Sequence, residues 1–448
     1  MRRAVGPLLA VTVALVLADS AVVTLALPDI LQELDATVGQ VAWVLISFNL
    51  VLGLCAVPTA MGLVRVPPRI FAAVGIAVFA GASAWCAVAG SIDMLITARC
   101  VQAVGGALAL VGCLELMVAD WGERRGVAAW VTAGVVGTAA GPVAGGLLTE
   151  AFSWEAIFVV QVPFAALAVP AALAVRAVPD LTPDRHRPAV RPNLTLALLS
   201  AALTAALFLL VLLLVEGWSR SPATAALTVS VVPVAALASS PLARLLRPSP
   251  EVEAAVGCFL VAGGLVGLGL LPSSHLLWTV APQALVGLGL GLTVDRLTAQ
   301  ALDLRLPRAR HAGWTIGARH LGVVVGLAIL TPVFTSDLRD AEVPAQEAIT
   351  SLVIDAPLKP EDKIELVEAL GDELSQQQGQ VPDLHRAFGT LDLDTAEERA
   401  AAAELERALD SQLERAANRA FRDSFLIGGG LALVALLVVV APRRRRSA

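Results

Sequence analysis

About twelve times the sequence returns to an apolar run near 20 residues long, and short polar loops separate the runs. As a helix rising about 1.5 Å per residue, such a run crosses the roughly 30 Å hydrocarbon core of a bilayer. Inside lipid every backbone N–H and C=O needs a partner within the protein, so only helices or a closed barrel can span. The runs show no period-two alternation, which argues against a barrel. The pattern therefore predicts an all-α polytopic membrane protein. Its spans lie near 8–28, 41–62, 69–89, 94–118, 126–148 and 155–178, then near 194–215, 223–243, 253–272, 275–294, 311–335 and 424–441. A polar stretch divides them six and six.

Composition agrees, with 57% of residues hydrophobic and 16% charged, below the quarter usual in soluble domains. The net charge of −6 hides a division. Residues 336–420 carry 20 acidic and 8 basic side chains, which leaves the remainder near +6. Arginine collects in alternate loops: MRR, RVPPR (65–69), WGERRG (121–126), PDLTPDRHRPAVRP (179–192), ARLLRPSP (243–250), RLPRARH (305–311) and RRRR (443–446). The intervening loops, PDILQELDATVGQ and TEAFSWE among them, are acidic or neutral. Basic loops stay inside the cell, so the pattern predicts a multi-pass protein of the cell (plasma) membrane with both termini cytoplasmic. The opening MRRAVGPLLAVTVALVLADSA has the outline of a secretory signal, but its apolar run continues to Pro28, as a retained first span would.

The expected organisation is an N-terminal six-helix bundle (1–178), a cytoplasmic linker (179–193) and the first five helices of a C-terminal bundle (194–335). An extracytoplasmic helical insert (336–420), a last transmembrane helix (421–441) and a basic cytoplasmic tail (442–448) complete it. In the insert, KPEDKIELVEALGDEL predicts a helix starting near Pro360 with Ile364, Val367 and Leu370 on one face. Asp394 with Glu397 reads as a capping box for one long helix from about 395 to 441, with Leu405, Leu409 and Leu413 as its apolar stripe. The insert is either a solvated hairpin packed on itself or a dock for an extracytoplasmic protein partner or a substrate.

No enzyme constellation stands out: HExxH, GxSxG, a GxxxxGK phosphate loop and CxxC are all missing. The five cysteines lie in apolar runs without metal-site spacing. Glycine-rich LVGLGLGL (285–292) sits inside a span and reads as close helix packing. Intramembrane polar groups are the better lead. Asp19 lies in span 1 and Arg99 in span 4, each roughly 10–14 Å from the outer end, so the two can face one another. They are either a titrating pair or a permanent structural one. Gly137, Gly141 and Gly145 recur every four residues in GVVGTAAGPVAGGLL (134–148), and Pro142 interrupts that helix. This suits either a moving contact between two halves or ordinary helix packing. His320 is either a second proton site or a neutral hydrogen-bond partner. Asn49, Gln102, Gln161 and Arg319 are candidates to line a cavity.

These motifs together resemble the major facilitator superfamily, and within it the drug:proton antiporters, above all the branch that commonly has fourteen spans. GVVGTAAGPVAGGLL matches the antiporter signature gxxxGPxxGGxl through Gly137, Gly141, Pro142, Gly145 and Gly146. LADSAVVTLALP matches lDxtivnvALP, with Asp19 and Ala26-Leu27-Pro28 in register. LITARCVQAVGGA resembles lxxxRxxqGxgaA through Arg99 and Gln102, SWEAIFVVQVPF resembles sWRwiFliNvPi, and ARHLGVVVGLAIL resembles RqlGgalGvAil. The resemblance implies a major-facilitator fold, two six-helix bundles around a central cavity. It implies an alternating-access carrier that exports a hydrophobic or amphipathic small molecule against protons and works as a monomer without a cofactor. It also implies Asp19 and Arg99 for coupling, with the span-5 motif between the halves. The departures are the twelve spans, the loss of Asp from the cytoplasmic loop motif at MGLVRVPPR (61–69), Glu155 and Gln161 for Arg and Asn, and His320 for Gln. Two alternatives stand beside it: export of a lipid or cell-envelope component with help from the insert, and a receptor or scaffold that no longer transports.

Overall fold

The computed structural model describes residues 2–63, 65–178, 186–246, 248–302, 305–360, 362–364, 366–367, 388–389, 391 and 395–442. The stretch 179–185 of the expected linker, Leu370, Asp394 and the arginines of the tail lie outside the described residues. Regular structure among the described residues is helical: α1 (Arg2–Val22), α2 (Leu27–Glu33), α3 (Val38–Gly62), α4 (Pro68–Ala87), α5 (Ile92–Trp121), α6 (Glu123–Ala151), α7 (Ala156–Val159) and α8 (Gln161–Ala174). After the linker come α9 (Val190–Thr204), α10 (Leu210–Leu212), α11 (Pro222–Val229), α12 (Val231–Leu246), α13 (Pro250–Gly269), α14 (Leu276–Leu302), α15 (Arg308–Asp355) and α16 (Ala396–Val440). Eleven of these segments are long and apolar enough to cross a membrane, and the bent α6 brings the number to twelve.

Local chemistry explains the interruptions. Pro28 has no N–H to give the carbonyl four residues back, so α1 tightens into a 3₁₀ turn at Val23–Ala26 and restarts as α2 with the proline in its first turn. Pro163 likewise separates α7 from α8. In α6, Pro142 deprives the Thr138 carbonyl of its donor, and the helix bends by 42° between Thr138 and Ala140. Thr37 and Gln40 close a capping box at the start of α3, and the Ser91 hydroxyl accepts the Met94 N–H at 3.3 Å at the start of α5.

The helices form two six-span bundles. In the first half α4 packs on α5, α1 on α6 and α3 on α5, around a core that includes Leu9, Val16, Phe48, Ile76 and Phe79. In the second, α13 packs on α14 and α16, and α9 on α15, around Leu199, Leu210, Val261, Leu265 and Phe425. The halves meet chiefly where α3 crosses α15 and α6 meets α11. Gly6 packs on Trp121, and the Arg191 guanidinium donates to the carbonyls of Val438 at 2.8 Å and Val439 at 3.0 Å, tying the start of α9 to the end of α16.

The structure differs from the sequence reading around the insert. Span 11 does not stop near 335; α15 runs on to Asp355, so two long helices project together from the bundle. The capping box of α16 is Thr395 with Glu398 rather than Asp394 with Glu397, one residue later. Leu405, Leu409 and Leu413 are buried as expected. Ile364 and Val367 are exposed, however, and Leu366 between them is the residue that packs under Val353, Leu358 and Leu409. The cluster it joins lies against the two long helices and so selects a different face. At the linker, the chain is already helical by Val190, which lets Arg191 satisfy the last carbonyls of α16.

Candidate functional site

Asp19 on α1 and Arg99 on α5 are both fully buried, and they form a direct ion pair from Arg99 Nη1 to Asp19 Oδ2. Every polar atom around them is engaged. Arg99 Nη1 also donates to Gln102 Oε1 at 2.7 Å. Asp19 Oδ1 accepts from Gln161 Nε2 at 2.7 Å and from Gln102 Nε2 at 3.2 Å. Gln102 Nε2 reaches Ser83 Oγ at 2.9 Å, and Gln161 Nε2 donates back to the Ile157 carbonyl at 3.1 Å. The Arg99 guanidinium lies 4.1 Å from the centre of the Phe48 ring and 5.7 Å from that of Phe158. In such low-dielectric surroundings an ion pair persists only because neighbours satisfy its remaining donors and acceptors. Protonating Asp19 removes the counter-charge and leaves Arg99 held by an amide oxygen and an aromatic face.

Asp19 points into its own bundle, while its neighbours Leu17, Ser20, Ala21 and Thr24 face a cavity of about 90 Å³ between the halves. That volume is small beside the roughly 300–1,000 Å³ of sites that enclose drug-sized ligands. Leu45, Asn49 and Thr138 complete the first half's wall; the other is made by residues of 200–208 with Arg319, His320, Val323 and Leu327. His320 Nδ1 lies 2.8 Å from Asn49 Oδ1, across the two halves. The Asn49 amide nitrogen donates to the Leu45 carbonyl at 2.9 Å, which leaves its oxygen as acceptor, so the His320 proton sits on Nδ1.

Of the residues the sequence singled out, Asp19, Arg99, Gln102 and Gln161 come together in the first half, and Asn49, Arg319 and His320 at the cavity. Gln102 and Gln161, read as cavity residues, are instead buried partners of Asp19. The reading missed Ser83, a lone hydroxyl in an apolar run. It also missed Asp295, visible in LTVDRLTA as a charge pair inside a span; its neighbour Arg296 pairs with Glu253 at 2.6 Å. A further polar pair, the Thr315 hydroxyl donating to Asn193 Oδ1 at 3.1 Å, joins α15 to α9.

The glycine row of α6 faces α1. A side chain at Gly137 would strike the Ala14 carbonyl, one at Gly141 the Ala18 carbonyl, and one at Gly145 the Val22 carbonyl. These three therefore join helices within one half, and the close approach carries the Thr138 hydroxyl to 3.5 Å from the Leu17 carbonyl. Of the motif's four glycines Gly146 is the one that meets the other half, at Ala226 and the Pro222 carbonyl of α11. Among the described residues no group of His, Cys, Asp and Glu is placed to hold a metal ion.

The model of the Major Facilitator Superfamily matches residues 9–331. The chain is 32% identical over 225 residues to the methylenomycin A resistance protein of Streptomyces coelicolor, 49% of this chain and 46% of that protein. It is 34% identical over 169 residues to the tetracenomycin C resistance and export protein of Streptomyces glaucescens, 37% of this chain and 31% of that one. These matches span less than half the length of the curated relatives. A bacterial homologue of the human lysosomal transporter Spinster, solved in an inward-facing and unoccupied conformation, shares the fold with a TM-score of 0.59. At 15% identity it covers 98% of this chain and 97% of its own.

Proposed function

The chain belongs to the Major Facilitator Superfamily, and from that premise we propose that it is a proton-coupled secondary transporter that exports a hydrophobic or amphipathic small molecule by alternating access. The observation that carries the reading is the buried Asp19–Arg99 pair, which shares helix α1 with the cavity wall. Protonated from outside, Asp19 releases Arg99 and shifts the packing of α1. Deprotonated toward the cytoplasm, it recovers the pair while substrate enters the cavity. The smooth contact between α1 and the bent α6 lets that shift pass along the first half, and Gly146 carries it to α11. The protein works as a monomer in the cell membrane, with both termini cytoplasmic and the projecting helix pair outside. In reconstituted vesicles, Asp19→Asn abolishes efflux driven by a pH gradient; export at the wild-type rate by that variant sinks the assignment.

The projecting pair favours a second reading, export of a lipid or envelope component handed to an extracytoplasmic partner. Removing residues 345–415 then blocks lipid export and spares export of soluble compounds.

A further inference from the structure

Arg99 and Arg319, each within an apolar span, are treated differently by their surroundings. Arg99 is enclosed by Asp19, Gln102, Phe48 and Phe158. Arg319 lines the cavity and makes no hydrogen bond or ion pair with any described residue. It is also the only charged side chain among the cavity's described lining residues; no carboxylate is among them. Asp295, on α14, is near enough to attract Arg319 when ionised, forms no ion pair with it, and keeps a buried Oδ1 without a hydrogen-bond partner. Around Arg319 the wall is divided. Asn49, His320, Ser200 and Thr204 offer polar groups, and Leu17, Leu45, Leu203, Leu207 and Phe208 offer apolar surface.

A guanidinium left unpaired at a partly apolar wall is costly until an anion reaches it, and its fork of donors suits a carboxylate, enolate or phosphate. Resting on the exporter reading above, we propose that the cavity takes an amphipathic compound with an anionic head, bound by Arg319, and an apolar body laid against Leu45, Leu207 and Phe208. A lipophilic cation finds no counter-charge here and meets Arg319 as a like charge. Asp295 is the internal competitor: its charge attracts the guanidinium without pairing with it, and the substrate's head displaces that attraction. The head belongs either to a free acid or to an anionic lipid, since the chemistry at Arg319 is the same.

The test uses the full chain in phosphatidylcholine nanodiscs and three fluorescent probes with one apolar body: naphthylpropanoate, naphthylpropanol and naphthylpropyl-trimethylammonium. Equilibrium binding is read by anisotropy at neutral pH. The acid binds about tenfold to a hundredfold more tightly than the cation, the range of a charge-assisted hydrogen bond. Arg319→Gln removes that preference and leaves the alcohol unchanged, and Arg319→Lys restores part of it. Asp295→Asn, which keeps the guanidinium, tightens the acid several-fold and decides the matter should Arg319→Gln fail to fold. Equal binding of the three probes, or preference for the cation, overturns the proposal. Phosphatidylglycerol in the disc displaces the acid if the natural head is a lipid's, and leaves it bound if the head is a free acid's. Anion preference without any proton-driven flux in vesicles defeats the exporter reading and leaves the cavity chemistry standing. Flux with cation preference does the reverse.

Discussion

The two halves of the molecule hold charge in opposite ways. In the first half, Asp19 and Arg99 are sealed among Ser83, Gln102 and Gln161, with each polar group answered by another. In the second, Arg319 stands at the cavity wall without an ion pair or hydrogen bond to any described residue, with His320 beside it. A sealed pair responds to little except a proton, because nothing larger reaches it. An open cation responds to what enters the cavity. In the proposed mechanism energy coupling falls to one half and recognition to the other, and the His320–Asn49 hydrogen bond is one direct polar tie between them.

The contrast breaks most severely if the sealed pair is opened. Arg99→Met leaves a buried carboxylate uncompensated and destabilises the fold by about 3–5 kcal/mol, whereas Asp19→Leu with Arg99→Met recovers most of that loss without restoring coupling. Thermal unfolding in nanodiscs separates the two outcomes, and equal loss in the single and double variants contradicts the account. A smaller effect comes from the support of α1. Gly141→Ala presses a methyl on the Ala18 carbonyl and costs about 1–3 kcal/mol, with slower transport in vesicles. The tie between halves is weaker again. A double-mutant cycle of Asn49→Leu and His320→Leu yields a coupling of about 1 kcal/mol, and none if the two side chains act independently. Smallest is the projecting pair: Thr395→Ala removes a helix cap for about 0.5 kcal/mol and leaves transport rates unchanged.

Much of this contrast was legible in the sequence. Charges are so unfavourable in apolar spans that Asp19 and Arg99 announced themselves, and counting residues from the span ends put them at one depth. Depth does not fix the face of a helix, so Gln102 and Gln161 were assigned to the cavity when they turn toward Asp19. The four-residue glycine period likewise revealed a smooth face without its partner, which is α1 for three glycines and the other half only at Gly146. In the insert, alternative registers of one amphipathic pattern differ by a single residue. Tertiary contact with Val353 and Leu409 chose Leu366 over Ile364 and Val367.

The most direct test of the division of labour is the proton released when a ligand binds. Full-length protein in weakly buffered nanodiscs is mixed with whichever of the three naphthyl probes binds, and the pH change is followed with a dye. The account predicts that probe binding releases protons from the wild type, up to about one per chain, and none from Asp19→Asn despite retained probe binding. Equal release from the wild type and Asp19→Asn would contradict it.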